Sequence, residues 1–535
     1  MDQTLQILLT SEQGHRLSEL SNTPFQTGRA AGNVVTVDPE QKKQSLLGIG
    51  TSFTEASAFV LAHLDQDKRG EVMARVFSEQ GANFPIARTH IGACDFCVHG
   101  RYSYADQPGD SSLDAFDISV DLDGFDSAFH PGINDPSFDL LPMIQQALAI
   151  KQGQGEKTLR IMASAWTAPA WMKDIEDWYR PPVAENDFEG TGGRLKPEYE
   201  STFADYLVKY LESYRQQGVD IWAITPLNEP LGNSGQWESM LFTPETQNAF
   251  IRQHLGPALA NSDNGAVKLY IYDHSRDQLE EWADAIYGDS ETAEYVAGAA
   301  VHWYESSYKV FEDVFDRVHD QYPQFDIIHS EGCIDDLGKP APEGVLDPDR
   351  YQESGWFAND DFWWNDNATD WAYTVTWPGV NAEEHPIYTP VHRYARNIIV
   401  SLDHWVSGWI DWNIVLDKNG GPNHVGNFCG APIMVDTDTG YVYYTPIYFV
   451  LAQFSRTIRP GDRMVETTLA LDDDVSDQVY SCSSISPAGV IATQFLNTCK
   501  QQIKVNYQIG QQFAELVLPA NSLLTVRVSC REKSI

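Results

Sequence analysis

Residues 221–230 read IWAITPLNEP, a short apolar run that closes on Asn-Glu-Pro. Upstream lies ADYLVKYLESYRQQG (204–218), a helical pattern. Downstream come PETQNAFIRQHL (244–255) and a second apolar run, VKLYIYD (267–273). A short continuous apolar run between longer amphipathic stretches reads as a strand buried on both faces, as in a parallel sheet with helical crossovers.

The same rhythm extends both ways. Strand-like runs recur as SLLGIGTSF (45–53), NFPIARTHIG (83–92), LRIMASAW (159–166), AGAAVHWYE (297–305), FDIIHSEG (325–332) and WVSGWIDWN (405–413). Helical patterns such as PMIQQALAI, QLEEWADAIYG and YKVFEDVFDRVHD fall between them. Eight such units in succession predict an α/β fold, a closed (β/α)8 barrel, over 45–440. An open doubly wound sheet is set aside because it rarely needs eight strands and no G-x-G-x-x-G follows the first one. The ends differ. Residues 1–44 hold LQILLTSE and NVVTVDPE. Residues 441–535 hold VYYTPIYFVLAQFSRTI, ETTLALD, QVYSCSSIS, GVIATQFLN, QIKVNYQIG and SLLTVRVSC. These read as strands separated by Asn, Gly, Asp and Pro, so both termini are expected to form an antiparallel β-sandwich beside the barrel.

Composition bounds the partners. The 535 residues are 42% hydrophobic and 21% charged, the mix of a folded protein. With 36 basic and 76 acidic residues the formal charge is −40, which disfavours nucleic acid and anionic lipid surfaces. The charge itself is read as a solubility device. The first residues, MDQTLQILLTSEQGHRL, lack a basic region and a long apolar core, so no signal peptide is seen and a cytoplasmic location is expected. No stretch approaches a membrane span. Seven cysteines are too few and too odd for a disulfide framework. Cys94 and Cys97 form a C-x-x-C without a second pair, read as two half-buried thiols rather than a metal or redox site.

In a (β/α)8 barrel the site sits at the C-terminal strand ends. Those ends carry Glu55, Arg88 with Asp95 beyond it, Trp166, Asn228-Glu229, His302-Trp303-Tyr304, Glu331, and Trp409 with Asp411-Trp412-Asn413. Carboxylates, amides and rings together suggest a sugar site, where aromatic faces stack on pyranose rings and polar groups grip hydroxyls. Glu229 and Glu331, on strands 4 and 7, are nearly opposed across the ring, the arrangement a pair of glycosidic carboxylates needs. Glu229 alone reads as an acid before it reads as a salt-bridged loop carboxylate, while Glu331 alone reads equally either way; the pair carries the signal. Arg88 reads first as charge balance beneath the site, His302 equally as a hydrogen-bonding neighbour or a sugar ligand, and Tyr304 as a partner of the second glutamate. Trp166 and Trp412 read as sugar contacts or as core. Pro169, Pro226 and Pro230 are turn formers. No ligand cluster with metal spacing appears, so neither metal nor organic cofactor is expected.

With these residues in place the chain resembles glycoside hydrolase family 30, and within it the glucosylceramidases, over about residues 45–460. The matching motifs are SFTEASA, CDF followed by YSYAD, SAWTAPAWMK, LNEP, VHWY, SEGC, GWIDWN and GGPNHVGNF. The resemblance implies a retaining hydrolase that releases a terminal β-linked sugar, most simply β-glucose from glucosylceramide or a related β-glucoside. It makes Glu229 the acid/base and Glu331 the nucleophile, with Arg88, Trp166, Asn228, His302, Tyr304, Trp412 and Asn427 lining the sugar pocket. Glu55 stands where the family carries aspartate, and one extra methylene moves its carboxylate by about a bond length. An endo-acting β-1,6-glucanase and a β-xylosidase or β-fucosidase are the alternatives within the family; a non-catalytic carbohydrate-binding barrel is the alternative outside it. The partner is a carbohydrate or glycolipid, with no stable membrane insertion; the oligomeric state stays open. Residues 334–390 are too long for a βα loop and carry Trp356, Phe357, Phe362, Trp363, Trp364, Trp371, Tyr373 and Trp377. This segment is expected to wall or lid the aglycone side, or else to pack for its own stability.

Overall fold

The computed structural model describes residues 5–155, 159–180, 191–232, 235, 237–334, 355–365, 388–426 and 428–529. Each apolar run becomes a strand: β1 (Gly48–Phe53), β2 (Ile86–Ile91), β3 (Arg160–Ala165), β4 (Ala223–Thr225), β5 (Lys268–Ser275), β6 (Gly298–His302), β7 (Asp326–Glu331) and β8 (Val406–Ile410). They close into an all-parallel barrel in chain order, with β8 returning to β1. One residue from each of seven strands (Ile86, Met162, Ala223, Tyr270, Ala300, Ile328 and Ile410) forms a separate buried cluster. The barrel is therefore a packed core, not a pore. A side chain at Gly50 would strike the Ile86 carbonyl oxygen, so glycine alone permits this close approach of β1 to β2.

Helices cover the outside. Glu200–Gln216 buries Phe203, Leu207, Tyr210 and Tyr214 at helical spacing. Pro244–Phe250 begins with Pro at its first turn and a capping box in which Thr243 and Thr246 bond reciprocally. Residues 442–458, expected as sandwich strand, divide: Tyr441–Tyr444 is a strand and Pro446–Thr457 a helix. The aromatic and β-branched content imitates a strand, but Pro446 preforms a first turn. Ile447, Val450, Leu451 and Phe454 then repeat at three and four residues and are all buried. This helix packs against β1 and against strands Gln6–Ser11 and Ser522–Ser529. Its Gln453 bonds Thr10 and Thr525.

Both termini build the second unit, a ten-stranded sheet with its own core. Strand Gln6–Ser11 lies antiparallel to Ser522–Ser529, which pairs in turn with Val490–Asn497. The long strand Val34–Ser45 joins the two halves, antiparallel to Arg463–Ala470 and parallel to Ile503–Ile509. Among the described residues no helix is long and apolar enough to cross a membrane.

Candidate active site

The end of β4 is stitched to its neighbours before any side chain acts. The Asn228 N–H donates to the Ala165 carbonyl at the end of β3 (2.7 Å), and the Glu229 N–H to the Asp273 carbonyl of β5 (2.9 Å). Glu229 (φ 45°) and Asp273 (φ 67°) both adopt left-handed backbone. Non-glycine residues hold such conformations where neighbours over-determine them, as at reactive sites.

Beneath the two glutamates lies a fully buried polar floor. The Arg88 guanidinium donates to Glu331 (2.5 Å), to Asn228 Oδ1 (2.6 Å) and to Asp273 (2.8 Å). Asp273 also accepts from Ser164 (2.7 Å), Thr225 (2.9 Å) and Ser330 (2.6 Å). His302 bridges Glu229 and Asp273, with Nδ1 3.1 Å from Glu229 Oε1 and Nε2 3.0 Å from Asp273 Oδ1. The Tyr304 hydroxyl donates to Glu331 Oε1 (3.0 Å). One carboxylate oxygen of Glu229, one of Glu331 and a nitrogen of His302 all lie within 4.8 Å of one another.

The charges follow from this geometry. Burial alone would push His302 down, but Glu331, Asp273 and Glu229 lift it to about 9. Both its nitrogens face carboxylates, so the ring is an imidazolium donating twice. Burial would raise Glu229, yet the His302 bond holds it below the ordinary glutamate value. Glu331 is raised by burial against the opposing pull of His302 and Arg88. Asp273 stays well below the ordinary range despite its burial, held by Arg88 and His302. Two cations thus face three carboxylates, and one further proton would make the site neutral. Groups this close titrate as a unit.

The remaining expected residues are placed as follows. Trp166 and Trp412 stack on each other (5.3 Å, 23°) with the Arg88 guanidinium over both rings, and each is 2% exposed. Glu55 opens a helix, and both its carboxylate oxygens are engaged by the loop after β2: the Val98 and His99 N–H groups (2.6 and 2.7 Å) and the Tyr102 hydroxyl (3.2 Å). It organises that loop. Asp411 accepts from the Tyr394 hydroxyl (2.5 Å), and burial holds its carboxyl well above the ordinary range. Asn427 lies outside the described residues. Asp273, the hub of the floor, was not singled out from the sequence; the available signal was an acidic residue closing the apolar run VKLYIYD.

Among the described residues, two clusters have the donor types of a metal site. In one, Glu229, His302 and Glu331, both histidine nitrogens are committed and Arg88 already neutralises Glu331. In the other, His90, Cys94 and Cys97, His90 Nδ1–H donates to the Gly92 carbonyl (2.6 Å) and Nε2 accepts the Glu55 N–H (3.2 Å). Neither donor set is open for a cation without rearrangement.

Of the aromatic segment, Trp356, Trp363 and Trp364 are buried. Trp363 lies parallel to Trp356 (6.2 Å, 4°), donates from Nε1 to its carbonyl (3.1 Å), and rests on Gly430, where a Cβ would collide with the ring. These rings pack. Trp371, Tyr373 and Trp377 lie outside the described residues.

A closed (β/α)8 barrel with paired glutamates at the ends of strands 4 and 7 is the frame of a glycoside hydrolase. The chain belongs to glycosyl hydrolase family 30: the family's TIM-barrel domain matches residues 46–345 and 384–458. The chain is similar to the lysosomal acid glucosylceramidase of Mus musculus, 29% identical over 527 residues, covering 96% of this chain and 87% of that one. It is also similar to the endo-1,6-beta-D-glucanase of Neurospora crassa, 26% identical over 458 residues, covering 84% and 78%. Among solved structures, SrfJ from Salmonella typhimurium superposes with a TM-score of 0.78 at 25% identity, over 99% of this chain and 100% of that one.

Proposed function

We propose that this hydrolase is a retaining, exo-acting β-glycosidase that removes a terminal β-glucose from glucosylceramide or a related β-glucoside. The observation that carries the reading is the approach of Glu229 and Glu331 oxygens within 4.8 Å. Retaining enzymes hold their carboxyl groups about 5–5.5 Å apart, whereas inverting ones need about 6.5–9.5 Å for an intervening water. Likeness to a glucosylceramidase over 96% of the chain supports the substrate class.

Glu331, held by Arg88 and Tyr304, attacks the anomeric carbon and forms a glycosyl ester. Glu229 protonates the departing oxygen. In the arrangement described above the proton sits on His302, the reverse of what this step needs. Its transfer from Nδ1 to Glu229 Oε1, along a 3.1 Å bond, produces the acid. A sugar that excludes water favours the protonated acid, since burial disfavours charge. Asn228 has its Oδ1 fixed by Arg88, which leaves its NH2 group to donate to a sugar hydroxyl. Glu229 then acts as base, drawing a proton from the water that cleaves the ester.

The test is to incubate the purified protein with an aryl β-glucoside, glucosylceramide and β-1,6-glucan and follow the first-formed products by NMR. The expected result is β-glucose from the first two. First-formed α-glucose would overturn retention. Internal shortening of β-1,6-glucan without free glucose would replace the exo reading with the endo one.

A further inference from the structure

Two thiols from different parts of the chain meet beside the nucleophile. Cys333 follows Glu331 by two residues, and Cys429 comes from the loop after β8. Their sulfurs lie 3.1 Å apart, and both residues are buried. The segments that carry them are already joined: the Gly430 N–H donates to the Ile334 carbonyl (2.7 Å), an antiparallel bridge. A disulfide needs an S–S distance of about 2.05 Å, so the sulfurs must close by only about 1 Å, within reach of side-chain rotation. Cys333 Sγ also sits 3.4 Å from the Tyr304 hydroxyl, which donates to Glu331 Oε1.

We propose that Cys333 and Cys429 are a redox modification site: they form a reversible disulfide that draws the Cys333 sulfur from behind Tyr304 and lowers turnover. The oxidant is a peroxide. One thiolate attacks the O–O bond of hydrogen peroxide, giving a sulfenic acid and releasing the other oxygen as water once protonated. The second thiol attacks the sulfenic sulfur, the S–S bond forms and a second water leaves. Each sulfur loses one electron, the peroxide gains two, and a dithiol reverses the change. Cys94 and Cys97 provide a contrast inside the same molecule. Their sulfurs are 3.8 Å apart within one loop, farther than the 3.1 Å between Cys333 and Cys429.

The experiment treats the full chain with hydrogen peroxide, alkylates remaining thiols after unfolding, and maps the digest by mass. Turnover of an aryl β-glucoside is followed in parallel, before and after dithiothreitol. The expected result is a linked peptide joining Cys333 to Cys429, with turnover down by up to about a hundredfold, the cost of a displacement of about 1 Å beside reacting groups, and restored by the dithiol. Cys429→Ser, with Cys429→Ala as a second variant, should start at wild-type turnover and not respond. Cys333 and Cys429 still alkylated after peroxide, a link formed by Cys94 and Cys97 instead, or a Cys333–Cys429 link that leaves turnover unchanged would each overturn the proposal. The peptide map does not depend on substrate, so a protein inactive on every β-glucoside would count against the proposed function and leave this test intact.

Discussion

The polar floor and the aromatic wall are both buried at the catalytic end of the barrel, yet they are held in opposite ways. The floor sets Arg88 and His302 against Asp273 and against the two glutamates above it, with Ser164, Thr225 and Ser330 donating to Asp273. Breaking a buried ion pair by removing one partner strands the other charge, so the floor fixes orientation and protonation more than it adds stability. The wall of Trp356, Trp363 and Trp364 carries few polar obligations beyond indole N–H bonds, such as Trp356 Nε1 to the Lys418 carbonyl at 3.1 Å. Its rings fill volume. Damage to the floor should therefore appear in rate and pH dependence, and damage to the wall in melting temperature.

The largest expected effect lies above the floor. Glu331→Gln removes the nucleophile while keeping its size, so kcat should fall by about 10⁴-fold or more with the melting curve little changed. A variant keeping a tenth of wild-type kcat would remove Glu331 from that role. Glu229→Ala comes next and should discriminate among substrates. Poor leaving groups should lose about 10²–10⁴-fold, while an activated aryl glucoside keeps its first step. Added azide, which attacks the intermediate without a base, should restore turnover as glycosyl azide; equal losses on every substrate with no rescue would count against Glu229.

A smaller effect tests the protonation of the floor. His302 titrates at about 9 in the folded protein against an ordinary 6.5, so the stability it adds is full below pH 6.5 and is lost as pH rises through 9. The margin in unfolding free energy of wild type over His302→Gln should accordingly shrink between those values, as measured by urea denaturation. A constant margin would mean that the ring is not an imidazolium. The smallest effect on specificity belongs to the wall. Trp363→Ala should cost about 3–5 kcal/mol of stability while the ratio of kcat/KM between glucosylceramide and an aryl glucoside holds steady. A shifted ratio at unchanged melting temperature would restore the wall as a substrate contact.

What could be read from sequence divides along the same line. Each barrel strand was legible because a strand buried on both faces must be continuously apolar. The positions of Glu229 and Glu331 at strand ends were legible because such runs stop there. Asp273 also closes such a run, but its role depends on Arg88, His302 and three hydroxyls brought from five other strands, which no local pattern records. The placement of Glu55 was hidden for a related reason: its partners lie in a loop that folds back from β2. Pro446–Thr457 misled because its rings and β-branched residues favour strands while its spacing is helical. The burial of Trp363 against Gly430 needed the tertiary fold, since an aromatic-rich segment looks the same whether its rings pack or wait for a ligand.

The central claim is that Glu331 forms the glycosyl ester and Glu229 moves the proton. It is tested most directly by trapping that ester with a 2-deoxy-2-fluoro-β-glucoside bearing a good leaving group, then locating the added sugar by peptide mass. The account predicts a single adduct on the peptide containing Glu331, absent in Glu331→Gln and formed readily in Glu229→Ala. An adduct on Glu229, or turnover to first-formed α-product with no adduct at all, would contradict it.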